Sequence, residues 1–393
     1  IVSLLADSKG RVWVGTTEMG LGRLESGRFV RVPLPGGLAS YGWVRALAED
    51  RRGHIWIGTG DGGVYRWRDG AVDQHATRDG LPHNTLRAIH TDREGNIWIG
   101  TDVAGLVRLR PRRAFPVQRG DRASNESVVP IVDDGAGGLW VGATCGGVLH
   151  LRDGEVEVLD EKDGVPWPCV WALHRDPDGT LWVGTSGRGL ASLKEGRATR
   201  FRASDGLASD SVSAIVRDRG GALWIGTNAG VSRLEAGRFQ TFRRQDGLVH
   251  DDVRFIMQDR AGALWFGTVG GLSRLQGGRF TNYTTAEGLS HNYVRAVHED
   301  ADGALWIGTY GGGLNRLKDG RFTHYGPDVG LFDSVVSRII EDERGRLWMS
   351  GNRGIFHVSR AELNAFADGR VRSVTSVAYG TAEGMPTRET NGG

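Results

Sequence analysis

Tryptophan recurs through this chain at a spacing of about 42 residues, at Trp13, Trp56, Trp98, Trp140, Trp182, Trp224, Trp265, Trp306 and Trp348. Four-stranded blades repeat at that period. A repeat constrains a fold more tightly than local propensity does, because one such unit cannot bury both its faces and has to stack on its neighbours. In the eighth repeat, short alternating apolar runs at 294–297, 305–309, 313–317 and 319–325 are separated by turn signals. That is the pattern of four antiparallel strands, here called A to D. The sequence therefore predicts an all-β chain, a β-propeller of four-stranded antiparallel blades. The nine repeats fall at 1–38, 39–81, 82–123, 124–165, 166–207, 208–248, 249–289, 290–331 and 332–380, with the start of a further, incomplete repeat at 381–393. Nine units can close one ring, and part of a tandem of seven-bladed propellers is the alternative the sequence leaves open.

At 393 residues, length alone would favour two or three domains, but a repeat running end to end overrides that prior. The net charge is +2, carried almost entirely by arginine, since only Lys9, Lys162, Lys194 and Lys318 are lysines. So even a balance argues against a nucleic-acid partner, which needs a concentrated basic face. No run of 18 apolar residues is present, so attachment to a membrane is expected only through segments outside this one. The chain opens at Ile1 inside a repeat and stops at Gly393 as another begins, and it reads as part of a longer protein. It carries no phosphate-binding Gly-Lys-Ser/Thr loop, His-Glu-x-x-His, CxxC pair or nucleophile-elbow serine. No catalytic residue, cofactor or metal is expected on these grounds.

Two periodic residues have structural explanations. An Asp-x-x-Gly between strands A and B, as at Asp7/Gly10, Asp176/Gly179 and Asp300/Gly303, suits a turn in which Asp accepts backbone N–H groups and Gly takes positive φ. The loops lack the downstream glutamate of a calcium site. The tryptophan of strand B suits packing between blades, and Trp67 in a strand C reads the same way.

Candidate ligand contacts come from positions outside the packing rule. In a four-stranded blade the B–C loop and the connection into the next blade emerge on one face, and the repeat varies most there. These segments hold Trp43, His83, Asn84, Trp167, His250, Asp251, His291, Asn292 and Tyr310. The residue after the first apolar position of strand A is Arg45, Arg87, Arg254 or Arg295 in four repeats and Trp171 in another. Arginines at a channel mouth suit carboxylate or sulfate groups, and the additional tryptophans suit a sugar ring. Cys145 and Cys169 fall on the same face of adjacent blades, so a disulfide between them is geometrically open.

The repeated Leu-Trp-Ile-Gly-Thr, Gly-Gly-Leu-x-Arg-Leu, Gly-Arg-Phe and closing Asp-Gly-Leu resemble the two-component regulator propeller repeat. Blade four departs at Ala143 and blade nine at Met349-Ser350-Gly351. The resemblance implies the periplasmic, ligand-binding sensor region of a bacterial inner-membrane signalling protein. Its output would be a histidine kinase or diguanylate cyclase outside this segment, and the parent would be able to form a homodimer. The family has no common catalytic set to carry over. The ligand implied is a small extracellular molecule, a carbohydrate or an anion. Two other readings remain open: a protein-interaction platform, and a metal-dependent propeller lyase similar to the virginiamycin-type enzymes, with His250, Asp251, Asp252 and His291 as its candidates.

Overall fold

The structure is a computed structural model that describes residues 1–25, 27–37, 42–92, 95–109, 128–143, 146–153, 155–165 and 169–381. It is all-β. Among the described residues there are eight four-stranded sheets and one three-stranded sheet, each antiparallel and each following chain order from strand A to strand D. Blade eight is representative, with strands Val294–Glu299, Leu305–Thr309, Leu314–Lys318 and Arg321–Tyr325. Blade three has three described strands, Leu86–Thr91, Ile97–Thr101 and Leu106–Leu109. The sheets divide into two compact units, blades one to three within Ile1–Phe115 and blades four to nine within Pro116–Thr381. The further repeat expected at 381–393 lies outside the described residues save for Thr381.

The two periodic residues form one device. Asp300 Oδ2 accepts the Trp306 indole N–H at 2.8 Å while its Oδ1 accepts the backbone N–H groups of Asp302 and Ala304 at 2.9 and 3.0 Å. The same indole-to-carboxylate bond is made at Asp7, Asp50, Asp92, Asp176, Asp218, Asp259 and Asp342, over 2.7–3.0 Å. The aspartate thus closes the A–B turn and supplies the partner that a buried indole requires. In blade four Asp134 meets His150 Nε2 instead, at 2.9 Å, and the imidazole stacks on Trp140 with ring centroids 3.9 Å apart.

The core lies between blades rather than within them. Ala172, Trp182, Leu190 and Leu207 of blade five pack with Val212, Ile215, Leu223 and Ile225 of blade six. Trp265 and Leu272 of blade seven do the same with Val294, Val297 and Ile307 of blade eight. Trp67 packs edge-on against Trp13 at 4.9 Å, the structural role expected of it. Close approach of the blades fixes the glycine near the end of strand B. A Cβ on Gly308 would lie 2.6 Å from the carbonyl oxygen of Val336, just before the first strand of the next blade, Arg338–Glu341. On the opposite face, turns reach forward: Arg260 N–H donates to Glu299 at 2.7 Å and its guanidinium to Ala301 O at 2.9 Å.

Blade nine departs from the repeat. Between its strands Gly354–Ser359 and Val377–Tyr379 it inserts a helix, Arg360–Ala367, which the strand pattern did not predict. Tyr325 of blade eight donates its hydroxyl to Leu363 O at 2.9 Å and packs on Phe366. Arg360 bonds Glu341 at 2.9 Å and Asp302 at 3.1 Å, bridging blades nine and eight.

Candidate functional site

Strand A carries the site because of a local irregularity in it. Pairing with strand B skips one residue between Val44 and Ala46, Val170 and Ala172, Val212 and Ala214, Val253 and Phe255, and Val294 and Ala296. The unpaired residues are Arg45, Trp171, Ser213, Arg254 and Arg295, and the corresponding skip in blade three leaves out Arg87. A bulge re-aims the side chain it releases. The arginine series read from the sequence is therefore a series of bulge residues.

In blades four to nine three of these residues, Trp171, Ser213 and Arg254, line a cavity of about 230 Å³, and Arg338 lines it with them. Arg254 bonds Asp252 at 2.8 Å, and its guanidinium carbon lies 6.0 Å from the Trp171 ring centroid. Its Nε is buried and has no hydrogen-bond partner. Ser213 Oγ donates across the blade boundary to Val253 O, tying two of the bulges together. Arg295 donates to the Tyr293 hydroxyl at 3.1 Å, and the Tyr293 and Tyr310 rings lie 5.5 Å apart. Tyr310 is 40 % exposed.

Arg338 was not among the residues singled out in the sequence. Its register partner is Ser350, as Gly308 is the partner of Ala296, so it occupies the place that alanine holds at Ala46, Ala88, Ala172, Ala214 and Ala296. The signal was present as an arginine in an alanine column, one residue beyond the column that drew attention. Arg338 is exposed on its strand, yet the protein atoms around its guanidinium, and after them the like charge of Arg295, draw its pKa down from the ordinary value.

In blades one to three the bulge arginines are engaged otherwise. Arg87 pairs with Asp102 at 2.5 Å, and Arg45 lies over the half-exposed Trp43 ring at 5.0 Å. A larger cavity of about 420 Å³ lies there among Asp61, Tyr65, Gln74, Arg78 and Asn84. Its polar groups largely satisfy one another: Gln74 donates to Gly62 O, Arg78 donates to Gln74, and Asn84 accepts from Thr77 N–H, each at 2.9 Å. The smaller cavity is the better candidate, because charge collects in it without such internal pairing.

The connection residues have a turn function that accounts for their recurrence. Asn84, Asp251 and Asn292 accept the backbone N–H of Thr77, Arg244 and Thr285 at 2.9, 2.8 and 2.9 Å. His83, His250 and His291 accept, through Nδ1, the N–H two residues ahead at 3.1, 3.0 and 3.1 Å. These are side-chain caps of the kind Ser, Asn and Asp make in turns. Among the described residues no group of three His, Cys, Asp or Glu side chains has a metal-holding arrangement. Trp167 and Cys145 lie outside the described residues, and with Cys145 so does the Cys145–Cys169 disulfide; Cys169 itself is described, its carbonyl accepting Ser186 N–H.

Stretches 1–18, 37–61, 80–103, 164–187, 206–229 and 288–311 match the two-component regulator propeller. Six of the nine repeats thus match that repeat, each in part. No curated protein matches it. Among solved structures, the extracellular domain of the hybrid two-component system BT3049 from B. thetaiotaomicron is similar at 22% identity and a TM-score of 0.64, over 99% of this chain and 52% of that one. That of BT4673 from the same organism has 22% identity, a TM-score of 0.45, and coverage of 96% and 48%. The chain thus spans about half the length of these extracellular domains. Virginiamycin B lyase from Staphylococcus aureus follows at 14% identity and a TM-score of 0.41, over 77% of this chain and 90% of that one, too distant to bear on activity. The likeness to BT3049 concerns the fold: propeller blades. No helix among the described residues is long and apolar enough to cross a membrane.

Proposed function

We propose that this segment is the ligand-binding part of an extracytoplasmic sensor in a bacterial membrane signalling protein, with a kinase or cyclase output elsewhere in the parent. The repeat type and the likeness to an extracellular domain of a hybrid two-component system support the sensor reading. The observation that carries ligand binding is the convergence of bulge residues from successive blades, Trp171, Ser213 and Arg254, on one cavity. Residues released from strand pairing can contact a ligand without disturbing the packing between blades, and an indole face beside a guanidinium suits a sugar ring. Signal transfer then requires only that the ligand favour one arrangement of the parent over another.

A thermal-shift screen of the whole chain against neutral and acidic oligosaccharides tests this. A ligand at about a hundred times its dissociation constant adds about 2.7 kcal/mol to the folded state, well within detection. The expected result is a saturable rise in Tm that Trp171→Ala and Arg254→Ala each weaken. A ligand whose effect survives both substitutions would place the site elsewhere.

A further inference from the structure

We infer that the cavity of blades four to nine binds an anionic group, a carboxylate or a sulfate, with Arg338 as its anchor and Arg254 beside it. This rests on the sensor reading and specifies its ligand. Among the described residues the cavity wall holds two guanidinium groups and no carboxylate. Among the described residues no acidic side chain lies within ion-pair distance of Arg338, whose one hydrogen bond, to Ser337 O, is long at 3.5 Å. Arg254 bonds Asp252 through one terminal nitrogen, which leaves its buried Nε unused.

Blade packing does not call for Arg338, because five other blades place alanine there. A guanidinium stays charged in proteins, and the buried Nε of Arg254 is a donor without a partner, which is unfavourable. Arg295 adds a second positive charge close enough to disfavour the charged form of Arg338. A bound anion relieves both costs at once, and the planar fork of arginine matches carboxylate and sulfate oxygens. At about 230 Å³ the cavity accommodates one acidic group or one acidic sugar ring rather than a drug-sized ligand.

The test is a titration of the whole chain with sodium sulfate, with glucuronate and with glucose, at ionic strength matched by chloride, read as Tm. Sulfate stabilises proteins generally by exclusion from their surface, so only a saturable response lost in the variant counts. Arg338→Ala restores the residue of the other blades, and Arg338→Gln keeps the side-chain bulk without the charge. In the absence of anion both should melt at or above the wild-type Tm, because a like-charge contact is removed; a structural arginine would instead lower it. With sulfate or glucuronate, apparent affinity should fall tenfold or more in both variants. Unchanged anion affinity in both overturns the assignment. A saturable response to glucose alone overturns the anionic ligand and leaves the sensor reading standing, whereas no saturable response to any of the three overturns the inference and leaves the sensor reading to the oligosaccharide screen.

Discussion

Asp300 accepts from three donors at once, and only one of them, the indole of Trp306, is remote from its own turn. The carboxylate and the Trp306 side chain are both fully buried, so neither can exchange its bond for water. Removing the acceptor leaves buried N–H groups unsatisfied at about 1–3 kcal/mol each, of which relaxation recovers a part. Asp300→Ala is therefore expected to destabilise the protein by about 2–5 kcal/mol. Asp302→Ala, two residues away and more than half exposed, loses only a surface ion pair with Arg360 and should cost under about 1 kcal/mol. Denaturant midpoints of the two variants check the pair. Similar losses at both positions would mean that the turn, and not the indole bond, carries the effect.

Among elements, the connection between blades shows how a functional-looking pattern can be structural. Each well-formed connection is a short turn closed by a glycine in the left-handed region, such as Gly247 at φ 108° and Gly206 at φ 105°. An Asn or Asp seven residues past the turn's first free N–H reaches back to it. Because Asn84 and Asn292 make the bond that Asp251 makes, the amide oxygen and the carboxylate are interchangeable there. Asp251→Asn should leave Tm within a degree or two, and Asp251→Ala should lower stability by about 1 kcal/mol, as loss of a helix N-cap does. If Asp251→Asn proves as damaging as Asp251→Ala, the negative charge itself has a role and the capping account is insufficient. The strand A bulge shows the converse case: an irregular position that the repeat conserves in geometry while varying the residue, through Arg45, Trp171, Ser213, Arg254 and Arg295.

For the molecule as a whole, the blade, its four strands and its interblade core could be read from Trp and Asp spacing, because those residues satisfy the same packing need in every repeat. The bulge arginines could be read as a column, but their release from pairing could not, since a skipped register leaves no mark in an apolar alternation. The helix at 360–367 escaped because it replaces a tight hairpin within a single blade, where no period exposes it. The repetition also has a consequence for pH dependence. Burial alone would raise the carboxyl pKa of Asp7, Asp50 and Asp176, but indole, backbone and cationic hydrogen bonds outweigh it and hold all three below the ordinary value. The bond from Trp348 does the same for Asp342, and that from His150 draws Asp134 down to about 2. With folded values below the unfolded value of about 3.9, these groups bind more protons when the chain unfolds, so stability rises with pH in that range. Their contribution is complete above about pH 5 and drains away as the pH falls through the folded values. The losses at these five aspartates add, and the expected Tm profile declines below about pH 4. Asp176→Asn should lower Tm at pH 7 and also flatten that acid limb, because one of the linked protons is gone. An acid limb of unchanged slope in the variant would mean that acid lability comes from groups other than the indole-bonded aspartates.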